Sequence, residues 1–303
     1  MSETTKPPQT VHSAVSWGQK EERARSLWAD ALRRLTGNPG SMTGAAILLL
    51  LILAAIFAPH VTRFDPFEIV AAERLQSPSA KYWFGTDSFG RDIYTRLVFG
   101  SRISLRMGIV SVAIAVLMGV TSGLVAGYYG GRLDNLIMRL IDITLAFPGI
   151  LLALVVIAIL GPSLFNAMVA VGISAAPTYA RVTRGMVLKT KEEVFVESAI
   201  AIGCRPFRII LRHILPNILG PIVVVATLGV AGAIISGAAL SFLGLGATPP
   251  TPEWGLILSS GRNYLRHAWW ITTFPGVAIM VTVLSINLLG DGLRDALDPH
   301  MKR

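Results

Sequence analysis

Five long runs without Asp, Glu, Lys or Arg recur through this chain of 303 residues. The runs lie at residues 42–61, 107–131, 143–180, 217–252 and 270–290. A helix that crosses the hydrocarbon core of a membrane needs about 20 mostly apolar residues, because the core is about 30 Å thick and each residue rises about 1.5 Å. Charged residues make up only 15% of the chain, against roughly a quarter in soluble domains. The runs therefore predict an all-α integral membrane protein.

Six transmembrane helices are predicted from these runs. The run at residues 143–180 is too long for one helix, and the turn-forming pair Gly161-Pro162 divides it into two spans. The polar head, residues 1–40, contains an amphipathic stretch at residues 21–35 that predicts an interfacial helix. The head is too long for the start of a cleaved secretory signal, so the first span is expected to stay in the membrane as an anchor.

An even number of spans places both termini on one side of the membrane. That side holds 18 of the 27 Lys and Arg residues, so the positive-inside rule assigns it to the cytoplasm. The predicted order is a cytoplasmic N-terminal segment (1–40), the first transmembrane helix (41–61), an external loop (62–104), a core with five further helices (105–295) and a cytoplasmic tail (296–303).

Several functional classes do not fit the sequence. The net charge of +9 comes from basic residues between apolar runs, not from one basic face, so we expect no nucleic-acid partner. The five His residues are scattered and Cys204 is the only cysteine, so no metal site is predicted. No Gly-x-Ser-x-Gly motif is present, and none of the six lysines follows a glycine as a phosphate-binding loop requires. We therefore expect no catalytic residues and no bound ATP.

The most informative polar stretch is residues 189–217, KTKEEVFVESAIAIGCRPFRIILRHILPN. Apolar residues at helical spacing predict two short helices, 194–202 and 206–214, around Gly203. Pro206 suits the first turn of the second helix, where its missing N–H is not needed. A solvated loop is the alternative. The first interpretation gives a compact basic projection on the cytoplasmic face.

Within this projection, Glu197-Ser198-Ala199, then Gly203 and later Leu215-Pro216 resemble the EAA loop of ABC import permeases. Two residues depart from that pattern, since Ser198 stands where Ala is commonest and His213 where Ile is usual. In that family the loop is a coupling helix that docks on the ATPase subunit. The resemblance implies an ATPase-coupling role for Glu197, Ser198, Ala199, Gly203, Arg205, His213, Leu215 and Pro216.

The external loop carries a second resemblance at Trp83-Phe84-Gly85-Thr86-Asp87-Ser88-Phe89-Gly90-Arg91-Asp92. This stretch is similar to the external segment of the C-type permease in dipeptide, oligopeptide, nickel and glutathione importers. Residues 240–255 and 287–295 extend the similarity to the end of the chain. The resemblance implies that a binding protein docks on Trp83, Gly85, Asp87, Gly90, Arg91 and Asp92. Alternatively, the charged residues pair with one another and only order the loop.

Together these resemblances imply a permease of the type I ABC importer architecture in a bacterial inner membrane. The implied partners are a second, homologous permease in a heterodimer, two ABC ATPase subunits that bind ATP and Mg²⁺, a periplasmic substrate-binding protein and membrane lipid. No cofactor is expected in this chain. Dipeptides or short oligopeptides are the expected cargo, with glutathione and nickel as alternatives.

An ion-coupled secondary transporter is the rival class, and it would need ionisable groups inside the bilayer. Asp142 is the nearest candidate, and Arg139 three residues earlier is its expected ion-pair partner. Pro148 and Pro177 are expected to kink helices. Small residues of the fifth span are expected either to pack helices or to line a weakly polar conduit with Asn166, Ser285 and Asn287.

Overall fold

The computed structural model describes residues 35–297. The helix predicted at residues 21–35 and the tail predicted at 296–303 lie almost wholly outside the described residues. Within 35–297 the chain is helical, and the only paired extended residues there are Thr86 and Asp92, which form one antiparallel bridge. The predicted all-α class is confirmed.

Long helices form the framework and shorter helices connect them. In chain order they are α1 (Pro39–Ile56), α2 (Ala58–Val61), α3 (Ile93–Tyr129), α4 (Gly131–Leu145), α5 (Gly149–Leu160), α6 (Leu164–Lys191), α7 (Val194–Ala201), α8 (Pro206–Ile209), α9 (Leu215–Phe242), α10 (Trp254–Gly261) and α11 (Trp270–Leu297). Short 3₁₀ turns lie at Ala71–Glu73 and Arg262–Tyr264, and a π-helical turn, Ile210–Ile214, joins α8 to α9.

Three long helices each follow a residue whose side chain accepts a hydrogen bond from an N–H group of the first helical turn. Asn38 accepts from the N–H of Gly40 at 3.0 Å before α1, and Ser163 accepts from Asn166 at 3.0 Å before α6. Asp92 does the same at the start of α3. Such caps favour a helix start at that residue. Ser163 follows directly on Gly161-Pro162, so the chain turns between two helices, α5 and α6, where the sequence predicted a turn.

By length and apolarity, four helical stretches qualify as membrane spans, and a fifth does if α4 and α5 count as one bent span. The four are α1, α3, the continuous stretch Pro206–Phe242 and α11. α6 has 28 residues, about 42 Å at about 1.5 Å per residue, so it is long enough to cross. It carries Asn166, Thr178 and Arg181, however, and these lower its hydropathy. The count of six spans therefore stays a prediction.

A sharp bend lies near the start of the third predicted span, because α4 and α5 meet at 96° across residues 146–148. Pro148 explains the bend, since proline disfavours helical backbone in the preceding residue and has no N–H to donate. α5 has 12 residues, so it rises only about 18 Å against a core of about 30 Å.

Glycines on α3 allow its backbone to touch that of α6. Gly119, Gly123 and Gly127 follow one another at four-residue spacing and are buried against α6. A Cβ atom added at Gly119 or Gly123 would lie 2.5 Å from the carbonyl oxygen of Ala176 or Ala180. Small residues at this spacing let membrane helices approach closely. The α3–α6 pair is therefore a backbone-to-backbone contact.

The two ends of α3 carry different parts of the molecule. At its start, Arg96 donates to the carbonyl oxygens of Pro66 at 3.0 Å and Pro250 at 3.3 Å. The external loop (62–104) therefore meets a second predicted external loop, residues 247–269. At its far end, Lys191 from the end of α6 donates to the carbonyl oxygen of Tyr128 at 2.8 Å. The 37 residues of α3 span about 55 Å. The external loops and the projection at 189–217 therefore lie at opposite ends of the helix framework.

Gly123→Ala is expected to lower the thermal stability of the detergent-solubilised protein, measured by circular dichroism. The added Cβ would press on the backbone of Ala180, and overpacking of this kind costs about 1–3 kcal/mol. Gly185→Ala on α6 is the matched control, because an added Cβ there meets no atom within 4 Å. Ala also favours a helix over Gly by about 1 kcal/mol, so the control should be as stable as the parent or more so. Equal stability of the two variants would contradict the glycine contact.

Candidate functional sites

The segment at residues 189–217 turns sharply at Gly203, directly after α7. Gly203 has a φ of +79°. Its N–H donates to the carbonyl oxygen of Ile200 at 2.9 Å, and the N–H of Cys204 donates to that of Ala199 at 3.0 Å. This pair of bonds around a left-handed residue satisfies the last carbonyl groups of the helix. Glycine is needed for the backbone conformation alone, since an added Cβ would meet no atom within 4 Å.

One face of this segment is fixed to the ends of α3 and α6. Val196 and Ala199 on α7 and Ile214 before α9 are buried. They belong to one apolar cluster with Leu124 of α3 and Val187 of α6. The contacts favour a helical projection with its own core over a solvated loop.

The second half of the segment differs from the prediction of a separate short helix at 206–214. α8 is one turn long and passes through the π-helical turn into α9, so the helix runs on from Pro206 to Phe242. The N–H of Leu215 bonds to the carbonyl oxygen of Ile210. The wide turn lies directly before Pro216, which has no N–H for the helical ladder. A local widening accommodates this proline, where the sequence alone predicted a break.

The opposite face of the projection is exposed. Glu197 and Ser198 lie on this face, and the carboxylate of Glu197 has no hydrogen bond or ion pair to any residue between 35 and 297. The apolar side chains of Ile202, Val194 and Phe207 are 80%, 73% and 73% exposed. Sequence analysis did not single out these three residues. Of the remaining predicted residues, Arg205 and Pro216 are exposed, and His213 and Leu215 are half-buried.

The external segment is organised by the buried carboxylate of Asp87. Its Oδ2 accepts from Nε of Arg91 at 2.7 Å, and its Oδ1 accepts from the backbone N–H groups of Phe89 at 2.8 Å and Arg91 at 3.0 Å. The Nε of Arg96 lies 3.8 Å from Oδ2. All three charged side chains are buried. Buried charges persist only when they are paired, so this cluster fixes the shape of the segment.

Two neighbours complete the turn that follows Asp87. Gly90 has a φ of +79°, and an added Cβ would overlap the carbonyl oxygen of Val70. Asp92 caps α3, because its Oδ2 accepts from the N–H of Thr95 at 2.8 Å and from its hydroxyl at 2.6 Å. Burial raises the pKa of the Asp92 carboxyl above its ordinary value, although the hydrogen bonds from Thr95 oppose the shift.

A second buried carboxyl, Glu253, joins the other external loop to α3. It is 1% exposed and caps α10, accepting from the N–H groups of Gly255 at 3.0 Å and Leu256 at 2.9 Å. The hydroxyl of Ser104 on α3 lies 3.3 Å from its Oε1. Burial raises the pKa of Glu253, and the hydrogen bonds that it accepts oppose the shift. Sequence analysis did not predict this contact, because the two residues are far apart in the chain.

The six residues predicted to dock a binding protein are unequally accessible. Trp83 is 47% exposed, and its ring lies beneath the guanidinium of Arg63, 4.7 Å from the ring centroid. The other five are buried, namely Gly85, Asp87, Gly90, Arg91 and Asp92. Their contacts correspond to the alternative in which the charged residues pair and order the loop. Docking by this segment stays a prediction, and Trp83 is the residue that a partner can touch directly.

A cavity of about 440 Å³ lies among α3, α5, α6 and α9. The predicted small residues of the fifth span line it, and so do hydroxyl side chains of α3 and α6 that sequence analysis did not select. The lining includes Gly229, Gly232, Ala233 and Ser236 on α9, Ser111 on α3, and Ser174, Thr178 and Tyr179 on α6. No charged side chain is part of this lining.

Three polar residues predicted to share this lining lie elsewhere. The side-chain amide of Asn166 donates to the carbonyl oxygens of Leu160 and Gly161, both at 2.9 Å, and so closes the turn before α6. Ser285 is buried and donates to a carbonyl oxygen of its own helix, and Asn287 is not part of the lining. None of the three lines this cavity, because a sequence does not say which face of a helix meets it.

Asp142 forms an ion pair, but with a different partner from the one predicted. An Nη of Arg181 donates to its Oδ1 at 2.6 Å, so α6 supplies the cation and not Arg139 of the same helix. One turn of α6 further on, Arg184 forms a bidentate pair with Asp134 at 2.6 and 2.7 Å. These two pairs attach the polar side of α4 to α6.

Metal-binding side chains are not gathered anywhere in the described part of the chain. Between residues 35 and 297, no group of three or more His, Cys, Asp or Glu side chains is placed to hold a metal ion. Cys204 is a free, half-buried thiol at the turn after α7.

Residues 119–303 match the protein family described as binding-protein-dependent transport system inner membrane component. Residues 26–78 match the N-terminal transmembrane domain of oligopeptide transport permease C. This chain therefore belongs to the family of binding-protein-dependent transport system inner membrane components. It is a permease of the inner membrane, and its relatives are transport subunits, not enzymes.

Close relatives of the permease match along nearly its whole length. It is 50% identical over 296 residues to the dipeptide transport system permease protein DppC of Alkalihalophilus pseudofirmus, covering 98% of this chain and 94% of the relative. The di/tripeptide transport system permease protein DppC of Pseudomonas aeruginosa is 45% identical over 88% of this chain and 89% of its own. The glutathione transport system permease protein GsiD of Escherichia coli is 47% identical, over 93% and 94%.

Solved structures with a similar fold include the MetNI methionine ABC transporter in inward-facing conformations. Two of its crystal forms match with TM-scores of 0.54 and 0.58 at 23% and 22% identity. The matches cover 67% and 68% of this permease and 96% and 98% of the transporter chains. The similarity concerns the fold and confirms the type I ABC importer architecture predicted from the sequence.

Asp87→Ala is expected to loosen the external segment of the permease. It leaves the buried guanidinium groups of Arg91 and Arg96 without their counter-charge, and breaking such a pair costs about 3–5 kcal/mol. Limited proteolysis from the external side should cut residues 62–92 faster in this variant. Ser88→Ala is the control, since the half-buried Ser88 makes no side-chain hydrogen bond within the described range. Unchanged cleavage of Asp87→Ala would contradict the ordering role of Asp87.

Proposed function

We propose that this permease is one of two homologous membrane subunits of an ATP-driven importer that carries dipeptides or short oligopeptides into the cell. In this proposal two ABC ATPase subunits bind ATP and Mg²⁺ and engage the projection at residues 189–217. A periplasmic binding protein delivers the cargo at the external loops, and both termini are cytoplasmic. The observation that carries the proposal is the exposed face of the projection, which is continuous with a helix lining the membrane cavity.

The exposed face of the projection has the chemistry of a protein docking surface. Val194, Ile202 and Phe207 present apolar side chains to solvent, beside the exposed Glu197 and Arg205. Apolar side chains on a polar projection have a cost in water that contact with a partner removes. The buried face keeps the surface in shape without the partner. Glu197 is then free to accept a hydrogen bond or ion pair from the ATPase.

Movement of the docked projection has a direct route into the membrane. Phe207 and Ser236 lie on the same continuous helix, Pro206–Phe242. Ser236 and Gly232 line the cavity. A displacement that the ATPase imposes at Phe207 therefore moves the cavity wall without an intervening flexible loop.

Peptide cargo agrees with the relatives and with the cavity. The relatives are named for dipeptides, di- and tripeptides and glutathione, which all contain amide bonds. The cavity offers neutral hydroxyl groups and no charged side chain. Nickel would call for His, Cys or carboxylate ligands, and no such group is gathered between residues 35 and 297. Dipeptides and short oligopeptides are therefore the preferred cargo, with glutathione as the alternative.

The external loops are the proposed docking surface for the binding protein. Trp83 and Phe89 are exposed there, and each ring has a guanidinium group above it. Aromatic and Arg side chains are enriched where protein interfaces bind most strongly. The paired charges beneath, around Asp87, hold these rings in position.

Glu197→Lys is expected to abolish recruitment of the ATPase subunits and ATP-dependent uptake, while membrane insertion and thermal stability stay unchanged. The reversed charge meets the partner's surface, but the Glu197 side chain makes no hydrogen bond or ion pair within the described part of the permease. Phe207→Ser should weaken recruitment as well, because it removes an apolar side chain from the docking surface. The fold should persist, since this ring is 73% exposed. Co-purification with the ATPase subunits measures recruitment.

Glu192→Lys is the matched control for this substitution, because Glu192 is an exposed acid of the same segment outside the EAA-like motif. It should retain recruitment and uptake. Normal recruitment by both Glu197→Lys and Phe207→Ser would refute the coupling assignment.

The complete importer in proteoliposomes should accumulate labelled dialanine when ATP and its binding protein are supplied. A protonophore should leave this uptake unchanged. Glutathione should compete only if it is a second cargo. Uptake that needs a proton gradient and ignores ATP would instead identify a secondary transporter.

A further inference from the structure

The membrane cavity contains hydroxyl groups that the permease itself leaves unpaired. Ser111 lines the cavity and is 1% exposed, yet its Oγ has no hydrogen-bond partner within residues 35–297. Two hydroxyls outside the cavity, those of Thr227 and Ser285, instead donate to the carbonyl oxygen four residues earlier, at 2.9 and 2.7 Å. A buried hydroxyl without a partner has a free-energy cost, which a hydrogen bond to a bound polar group would remove.

Further hydroxyls face the same space. Thr178 on α6 and Ser236 on α9 line the cavity, and neither side chain makes a hydrogen bond in the described part of the permease. The hydroxyl of Tyr179 lies 3.5 Å from the carbonyl oxygen of Val225, at the limit of hydrogen-bond length. Three helices thus supply hydroxyl groups to one cavity.

The chemistry of the lining selects the kind of ligand. No Asp, Glu, Lys, Arg or His lines the cavity, so a buried charge would find no counter-ion there. A hydroxyl can both donate and accept, which suits the carbonyl oxygen and the N–H of an amide. The volume of about 440 Å³ lies within the range of about 300–1,000 Å³ found for small-molecule sites.

We propose that this cavity is a transient binding site for the backbone amides of a translocating peptide, held by Ser111, Thr178 and Ser236. The proposal rests on the proposed function, in which the permease carries peptides. Because the amide is common to all peptides, these contacts are indifferent to side-chain identity. The charged ends of the peptide lie on the open side of the cavity, where the chain supplies no wall.

Two glycines of α9 determine how much of the cavity is free. A Cβ added at Gly229 would overlap the hydroxyl of Tyr179, so this glycine lets Tyr179 reach α9. A Cβ added at Gly232 meets no atom within 4 Å, although Gly232 lines the cavity. A side chain at Gly232 therefore begins in open space beside the cavity. This position allows the cavity to be filled without disturbing the fold.

The first test compares Gly232→Leu with Gly185→Leu in the reconstituted importer. An added Cβ meets open space at both glycines, but only Gly232 lines the cavity. Gly232→Leu should lower the maximal rate of dialanine uptake by about tenfold, and that of trialanine by more, because a filled cavity excludes the larger ligand first. ATP hydrolysis stimulated by the binding protein should persist. Gly185→Leu should transport both peptides normally.

The second test removes single hydroxyls. Ser111→Ala should lower the maximal uptake rate by about threefold to tenfold, the effect of one lost hydrogen bond, with the thermal midpoint unchanged or raised. Ser285→Ala is the control, since that hydroxyl is satisfied within α11 and lies outside the cavity. It should leave uptake unchanged.

The outcomes separate this proposal from the function on which it rests. If the unsubstituted importer showed no ATP-dependent peptide uptake, the proposed function itself would be overturned. Normal uptake by Gly232→Leu and Ser111→Ala, beside normal uptake by the parent, would overturn the cavity site alone. Equal losses in the variants and their controls would also overturn it, because the effect would then not depend on the cavity.

Discussion

The glycine-lined contact between α3 and α6 sets the positions of the other functional parts. Gly119, Gly123 and Gly127 bring the two backbones together, and side chains at both ends of the pair hold the projection and the external loops. The cavity opens beside this contact, where α6 carries Thr178 and Tyr179 towards α9. A change in the distance between α3 and α6 would shift the projection, the external loops and the cavity together. The contact therefore acts as the reference frame of the permease.

The kind of polar group changes along the α3–α6 pair in accord with the free-energy cost of burying it. Full charges lie near the ends, where Asp87 pairs with Arg91 on the external side and Asp134 pairs with Arg184 near the projection. Neutral hydroxyls occupy the cavity between them. A charge at the centre of a bilayer is far more costly than a hydroxyl group. The central position therefore suits a passage that binds weakly and releases its ligand.

Much of this arrangement could be predicted from the sequence, because charge-free runs and turn residues report on local physics. The turn at Gly161-Pro162, the positive φ at Gly203 and the projection with an apolar face all follow from such signals. The continuity of the helix through Pro216 could not be predicted, since a π-helical turn absorbs the missing N–H and leaves no compositional signature. The pairing of Asp142 with Arg181 and the unpaired state of Ser111 depend on contacts between helices far apart in sequence.

The continuous helix from Pro206 to Phe242, which includes the π-helical turn Ile210–Ile214, has a mechanical consequence. Its 37 residues extend about 55 Å, with an exposed ring near one end and the cavity wall towards the other. A rod that tilts about a point along its length moves its two ends in opposite directions. A push on Phe207 in one sense then swings Ser236 in the other, and the position of the pivot sets the ratio of the two displacements. One continuous helix can thus convert a push at the projection into an opposite displacement of the cavity wall.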